Sequence, residues 1–183
     1  MTDAFGGAPG EPPGKSSGEP DAVWRFALAV YGRPGVAAVC LDQQDRAGRD
    51  VCLLLFALWA GAACGTTLTP GQLAGLRAVA SAWSGGIVGP LRTVRRRLKH
   101  GPAPAPNAAS EALRARIQAS ETEAERLLLT ALAGTVPLAP APHRDEAAAL
   151  ANLGALGVTG DAAGLLVEAA LAACNEPPAV PGG

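Results

Sequence analysis

The stretch VCLLLFALWAGAAC, residues 51–64, carries no charged side chain and consists of small or apolar residues throughout. Asp50 stands directly before it, and a carboxylate at that position is typical of a helix N-cap because it faces the positive end of the helix dipole. Fourteen helical residues rise only about 21 Å, whereas the hydrocarbon core of a bilayer is roughly 30 Å thick. We therefore expect residues 51–64 to form the buried central helix of the protein and not a membrane span.

The composition of the whole chain favours helices over strands. Of the 183 residues, 4% are aromatic, alanine and leucine are abundant, and no apolar–polar alternation of period two continues over five residues. Aromatic and β-branched residues favour strands, whereas alanine and leucine are strong helix formers. The sequence therefore predicts an all-α protein, a compact helical bundle around residues 51–64, with a helical core that extends over residues 21–100.

The second half of the chain is predicted to contain one long helix and two short ones. Segment 101–109, GPAPAPNAA, has the composition of a semi-rigid linker. Segment 110–133 follows, of which residues 110–132 are predicted to form a long amphipathic helix, and two short helices are predicted over residues 143–174. An apolar seam at spacings of four and three predicts the packing face of the long helix; it comprises Leu113, Ile117, Ser120, Ala124, Leu127 and Ala131.

Both ends of the chain are rich in glycine and proline and poor in apolar residues. Segments 1–20 and 175–183 therefore lack the side chains that offset the entropy cost of ordering a backbone, and we expect both to be disordered tails. The first residues show neither the basic start nor the apolar segment of a secretory signal, so we expect a cytoplasmic location.

No metal site or cofactor-binding motif is predicted. The four cysteines lie among aliphatic residues or alanine, form no C-x-x-C pair, and are not clustered in sequence with His100 or His143. A zinc site needs clustered thiolate and imidazole ligands, which this spacing does not supply. Catalytic signatures such as G-x-S-x-G, the P-loop and H-E-x-x-H are also missing. We therefore name no catalytic residue, metal or cofactor, and we expect a binding function more than an enzymatic one.

The strongest clue to a partner is a basic segment near the middle of the chain. Five cations fall within eight residues, whereas the overall net charge is −1. Such a cluster accelerates association with an acidic surface. We expect a protein partner with an acidic surface, and nucleic acid or anionic lipid as less favoured partners; alternatively, Glu121, Glu123 and Glu125 neutralise the segment within the molecule. The predicted partner-binding residues are Arg92, Arg95, Arg96, Arg97 and Lys99.

A second group of polar residues lies near the predicted first helices, mostly around the junction at residues 42–50. Such residues can hold a small anion or supply an acid–base pair, because arginines bind carboxylates and phosphates in bidentate fashion. The alternative is structural: Asp45 and Asp50 cap helices or pair with Arg46 and Arg49 in a solvated turn. Arg25 and Arg33 would then pair with Asp42 or Asp45 of an adjacent helix. Both interpretations stay open for this group, which comprises Arg25, Arg33, Gln44, Asp45, Arg49 and Asp50.

Residues 24–61, WRFALAVYGRPGVAAVCLDQQDRAGRDVCLLLFALWAG, resemble an uncharacterised bacterial family of small helical proteins. The pattern of that family opens W-R-F-x-L-x-x-Y-x-R-P-G-V and continues L-x-x-Q-D-x-x-G-x-D-V-N-x-L-L-F-x-x-W, and the likeness covers roughly residues 22–132. Cys52 stands where the pattern commonly has asparagine. The resemblance implies an α-helical cytoplasmic protein and no particular activity.

Together these patterns predict a non-enzymatic interaction or regulatory protein that binds an acidic partner through the basic segment. The alternative is a helical protein that binds a small anion, or acts on one, in a cleft. That cleft is expected near Arg25, Arg33, Asp45 and Asp50.

Overall fold

The structure, a computed structural model, describes residues 19–175 of the chain and contains no β-strand within that range. The protein is all-α, which confirms the predicted fold class. In chain order the elements are α1 (Glu19–Tyr31), α2 (Val36–Ala47), α3 (Val51–Leu58) with a π turn (Trp59–Ala63), α4 (Pro70–Trp83) with a π turn (Ser84–Val88), α5 (Gly89–Leu98), α6 (Ala108–Thr135), α7 (Glu146–Ala155) and α8 (Gly160–Asn175). Each π turn continues the preceding helix without a break.

Helix α3 and its π turn form the centre of the molecule, as the apolar stretch predicts. Every residue from Cys52 to Ala63 is buried, and the other helices of the core pack around them. The side chain of Asp50 caps α3 by accepting a hydrogen bond from the backbone N–H of Leu53 at 2.9 Å. Full burial of a leucine or phenylalanine side chain contributes about 1.5–3 kcal/mol, so this helix is a main source of the stability of the core.

Helix α7 packs directly against the π turn of α3, backbone on backbone. A Cβ atom placed on Gly61 would lie 2.4 Å from both the Cα and the N atoms of Ala149, and 2.8 Å from the C atom of Ala148. Non-bonded carbon atoms do not approach so closely, so only glycine permits this contact. Position 61 therefore sets how near α7 lies to the centre of the bundle.

Asn152 joins α7 to the end of the central helix through hydrogen bonds inside the core, where the residue is 1% exposed. Its Oδ1 accepts from the backbone N–H of Leu68 at 2.8 Å. Its Nδ2 donates to the carbonyl oxygens of Ala57 at 3.1 Å and Thr66 at 2.9 Å. These bonds satisfy an amide whose burial would otherwise cost free energy, and they hold the loop between α3 and α4 against α7.

Helix α5 is attached to the rest of the molecule without any buried side chain of its own. It follows α4 through the second π turn, where a Cβ on Gly89 would lie 2.9 Å from the carbonyl oxygen of Ser84. Among the described elements, its backbone lies close to α6 and to that π turn. Its apolar residues Leu91 and Leu98 are only partly buried, so polar contacts contribute a large share of the attachment of α5.

Helix α6 extends two residues beyond each end of the predicted segment 110–133 and buries a different face from the one predicted. The predicted seam is wrong at four exposed positions, Leu113, Ser120, Leu127 and Ala131, and right at Ala124, which is buried. The spacing of apolar residues could not predict this face, because it does not show that the arginines of α5 need a carboxylate of α6 opposite them. The buried face comprises Glu121, Ala124, Leu128, Leu129, Leu132 and Ala133.

The two ends of the described range fall close to the predicted tails. Helix α1 begins at Glu19, inside the predicted tail 1–20, and α8 ends at Asn175. The rest of the two predicted tails lies outside the residues that the structure describes. No helix between residues 19 and 175 is long and apolar enough to cross a membrane.

Replacing Gly61 with alanine is expected to lower the free energy of unfolding by about 3 kcal/mol, because the added Cβ forces α7 away from the core. Gly164→Ala in α8 is the matched control, since nothing lies within 4 Å of a Cβ added there. The control is expected to raise stability by about 0.5–1 kcal/mol, because alanine forms helices better than glycine. Urea denaturation measures both values, and equal stability of the two variants would contradict the packing.

Candidate functional site

An open groove of about 490 Å³ lies between α1 and α2 on one side and α5 and α6 on the other. We call it the amphipathic groove, because its two walls differ in chemistry. The lining from α1, α2 and the start of α3 is apolar except for Gln44, and we call it the apolar wall; the lining from α5 and α6 is charged or polar except for Leu129, and we call it the charged wall. The apolar wall includes Trp24, Ala27, Leu28, Tyr31, Leu41, Val51, Cys52 and Leu55; the charged wall includes Arg92, Arg95, Arg96, Gln118, Glu121, Thr122 and Glu125.

Two carboxylates of α6 bind two arginines of α5 across the charged wall. Arg92 donates from Nε to Glu121 Oε1 and from Nη2 to Glu125 Oε1, both at 2.8 Å. Arg95 donates from Nε to Glu121 Oε2 at 2.5 Å. Glu121 is 5% exposed, so these charge-assisted hydrogen bonds form in a largely dry environment. They add to the limited attachment that the partly buried leucines of α5 supply.

Arg96 of the same wall is held more weakly. It pairs with Asp45 of α2 at 3.1 Å, and about half of each side chain is exposed to solvent. The hydrogen bond from Arg96 lowers the pKa of Asp45 below its ordinary value. Because exposed ion pairs contribute little net free energy, Arg96 is the arginine of the groove that is most easily released to another anion.

The two carboxyl groups of α6 shift their pKa values in opposite directions. Burial raises the pKa of Glu121, but the hydrogen bonds from Arg95 and Arg92 outweigh it and hold that pKa below its ordinary value. Burial also raises the pKa of Glu125, and the nearby charge of Arg92 does not fully offset it. Glu121 is therefore a stable anion, whereas Glu125 is the more easily protonated of the two.

A second opening, which we call the polar cleft, has a volume of about 530 Å³ and lies on the other side of Arg92 and Glu125. It is located where α3 begins, beside the end of α4. Ser84 Oγ donates a hydrogen bond to Asp50 Oδ2 there, while Asp50 Oδ1 caps α3. The residues that line both openings are Gln44, Val51, Cys52, Arg92 and Glu125.

Two arginines of the polar cleft bind the carboxyl end of α7. Arg49 donates to the carbonyl oxygens of Leu156 at 3.0 Å and Gly157 at 2.5 Å, and Arg77 donates to that of Ala155 at 2.6 Å. The last carbonyls of a helix lack partners within the helix and attract cations. Both guanidinium groups are therefore used to fix α7, and neither is free to bind a ligand strongly.

The residues of the predicted polar group do not meet at one place. Asp50 has a structural role as the cap of α3, and Arg49 has one at the end of α7. The group divides into Gln44, Arg49 and Asp50, which line the polar cleft, and Arg25, Arg33 and Asp45, which line neither opening.

The basic segment also divides into two parts. Three of its arginines pair with carboxylates of the same molecule, as described above, whereas Arg97 and Lys99 are exposed and have no ion-pair partner among residues 22–175. Glu123, which the sequence offers as a further neutralising residue, pairs with Arg126 at 2.7 Å instead.

The thiols in and near the groove are poorly suited to act as nucleophiles. Cys52 lines both openings, but burial raises its pKa well above the ordinary value. Burial likewise raises the pKa of Cys40 to about 11. Both thiols are protonated at neutral pH, and a protonated thiol is a poor nucleophile. Within the part of the chain that the structure describes, no group of three or more His, Cys, Asp or Glu residues is placed to hold a metal ion.

Every residue that lines the amphipathic groove falls between Trp24 and Leu129. A family model described as a protein of unknown function, DUF2390, matches residues 22–132, which is more than half of the chain. The chain belongs to this family. The DUF2390 region thus contains the whole lining of the groove, whereas Leu156 of the polar cleft lies beyond it. No curated protein and no solved structure matches the chain.

Sequence reasoning missed the apolar wall of the groove. Trp24, Leu28 and Tyr31 are four and three residues apart, so they share one face of α1. That spacing indicates a face that something covers, but it does not distinguish a neighbouring helix from a ligand. The signal was present, and only the positions of α5 and α6 show that the face borders an open groove.

Replacing Glu121 with glutamine removes the charge that Arg92 and Arg95 share, and we expect the free energy of unfolding to fall by about 2 kcal/mol at neutral pH. Because the pKa of Glu121 is lowered in the folded state, its stabilisation is present above the ordinary glutamate pKa of about 4.3. It is lost as the pH falls through the lower folded pKa. The difference between wild type and E121Q should therefore shrink in acid.

The matched control for E121Q is E123Q on the same helix. Glu123 is exposed, so its replacement is expected to leave the free energy of unfolding almost unchanged. Urea denaturation at a series of pH values measures all three proteins. A stability difference for E121Q that grows in acid would contradict the pairing.

Proposed function

We propose that the protein binds a small molecule with an apolar body and an anionic group in the amphipathic groove. The observation that carries the proposal is the presence, in one groove, of exposed apolar side chains of α1 and α2 together with guanidinium groups of α5. Ligand sites in proteins are typically concave and mostly apolar, with a few polar groups that fix orientation. The volume of the groove also lies in the usual range for such sites, about 300–1,000 Å³.

The apolar wall supports a ligand with a hydrocarbon or aromatic body. Leu28 is 51%, Leu41 is 46% and Tyr31 is 39% exposed, and all three line the groove. Single exposed apolar residues are ordinary on protein surfaces, whereas a contiguous group is typical of a binding surface. A ligand that covers them gains roughly 25 cal/mol for each Å² of apolar surface removed from water.

The charged wall supports an anionic group at one end of that ligand. Three arginines and two glutamates line it, so cations are in excess. Arg92 and Arg95 are needed to hold Glu121 and α5, but Arg96 can exchange its exposed partner Asp45 for a carboxylate, sulfonate or phosphate. The ligand would therefore lie with its apolar body along α1 and its anion near Arg96.

Leu28→Glu tests the proposal, because it places a negative charge on the apolar wall at an exposed position that the fold tolerates. We expect it to weaken the binding of anilinonaphthalene sulfonate and of dodecanoate on the order of tenfold. Leu127→Glu is the matched control, since Leu127 is 44% exposed on α6 and lines neither opening. Dye fluorescence and titration calorimetry measure the affinities.

The outcomes separate three cases. Binding that L28E weakens and L127E does not weaken supports a ligand in the groove. Equal affinity of L28E and wild type would overturn the site. Inorganic phosphate serves as a third probe: if it binds as tightly as dodecanoate, the apolar wall takes no part and the proposed ligand class is wrong.

A second candidate function is the binding of an acidic protein partner by the outer face of α5. Arg97 and Lys99 favour it, because both are exposed and lack an ion-pair partner among the described residues. Only these two residues of the basic segment are left for such a contact without rearrangement. The candidate therefore has less support than the groove.

Reversing both charges, in Arg97→Glu/Lys99→Glu, is expected to abolish capture of an acidic partner while circular dichroism stays unchanged. Arg25→Glu/Arg46→Glu is a control of equal charge change at exposed positions of α1 and α2. Affinity purification of tagged protein with and without nuclease, followed by mass spectrometry, measures capture. Partner capture that survives the first double variant would remove α5 from this function, and nuclease-sensitive capture would indicate nucleic acid.

A cytoplasmic location is part of the proposal. None of the four cysteines forms a disulfide, and Cys40, Cys52 and Cys64 are buried, which suits a reducing compartment. We also propose that the protein is of bacterial origin, because residues 24–61 resemble the pattern of a bacterial family.

A further inference from the structure

We propose that the amphipathic groove takes up a proton at Glu125 when an anion binds in it, so that binding is coupled to pH. This inference rests on the proposed function and adds the regulation of the same site. It starts from the position of Glu125, which lines both the groove and the polar cleft. Arg96 lines the same groove, so an anion that binds near Arg96 shares the groove with this carboxyl group.

The hydrogen bonding of Glu125 is incomplete. Arg92 donates to its Oε1 at 2.8 Å, and no donor within the described range meets its Oε2. Glu121, one helical turn away on α6, accepts from two arginines and uses both of its oxygens. Glu125 is therefore only partly neutralised by Arg92, and while it is ionised it repels an anion that binds at Arg96 in the same groove.

The surroundings of Glu125 separate it from the other titratable groups. Burial raises the pKa of Glu125, that of Tyr31 and that of Cys52, whereas the arginines of α5 hold the pKa of Glu121 low. Tyr31 and Cys52 are therefore neutral, and Glu121 stays ionised, as the pH falls from neutrality. The titratable and charged groups around Glu125 are Tyr31 of α1, Asp50 and Cys52 at the start of α3, Arg92 and Arg95 of α5, Glu121 of α6, and Arg49 and Arg77 across the polar cleft.

The sign of the coupling follows from these charges. At a pH above its pKa, Glu125 is negative and opposes an anion in the groove. At a pH below its pKa, Glu125 is neutral, and the net charge of the groove is more positive by one. Anion affinity should therefore be highest in acid and fall as the pH rises through the pKa of Glu125. By linkage, a bound anion raises the pKa of Glu125 by the same free energy.

Anilinonaphthalene sulfonate is the probe of choice, because its sulfonate stays ionised throughout the range in which Glu125 titrates. Its affinity for the wild-type protein is expected to rise about fivefold between neutrality and mild acid, the effect of removing one negative charge from the groove that holds the anion. In E125Q, whose side chain imitates the neutral carboxyl, affinity should be high and independent of pH. E123Q, with its exposed carboxylate, should keep the wild-type pH dependence.

Near-ultraviolet circular dichroism accompanies each titration, because the dye also binds proteins that have lost their tertiary packing in acid. If the dye fails to bind wild type at any pH, or if L28E does not weaken it, the groove site and the coupling both fail. If L28E weakens binding but the affinity is flat with pH, or its pH dependence persists in E125Q, the coupling alone is overturned.

A measurement on the wild-type protein makes the test independent of the folding of E125Q. Carbon-13 NMR of the glutamate carboxyl groups follows Glu125 directly, with and without the dye. The coupling requires the dye to raise the pKa of Glu125. An unchanged pKa in the presence of saturating dye would overturn it.

Discussion

Two carboxylates of α6 hold α5 in place, and the walls of the groove depend on them. Helix α5 has no fully buried side chain, so the bonds from Arg92 and Arg95 to Glu121 and Glu125 are a main part of its attachment. Burying Glu121 costs desolvation, which two guanidinium groups offset. Without α5 in this position, the apolar wall of α1 and α2 would face solvent with no charge opposite. The core depends on apolar burial and close packing, and the site depends on buried charge.

Much of the fold could be predicted because it follows from local patterns. The run 51–64 is apolar all round and too short for a bilayer, and Asp50 before it has one good structural explanation, the helix cap. The close contact at Gly61 could not be predicted, because a glycine in an apolar helix gives no indication of which backbone approaches it. The hydrogen bonds of Asn152 could not be predicted either, since its partners lie far away in sequence.

The site could be predicted only in part, because a count of charges along the sequence does not show which opposite charges lie next to each other in the fold. The basic segment is visible in the sequence, and so are three acidic residues of α6 that can neutralise it. Helix geometry selects among them: Glu121 and Glu125 are one turn apart on the face towards α5, whereas Glu123 points away and pairs with Arg126. The apolar wall opposite depends on how α1 and α2 are placed relative to α5, which no local pattern encodes.

The central claim, that an amphipathic anion lies between these two walls, is tested most directly by NMR. Amide resonances of nitrogen-15-labelled protein would be followed while dodecanoate is added. Binding in the groove predicts progressive, saturable shifts around Leu28, Tyr31 and Arg96, with α8 largely unaffected. Shifts confined to α8, or to the outer face of α5 around Val94, would place the ligand elsewhere and contradict the claim.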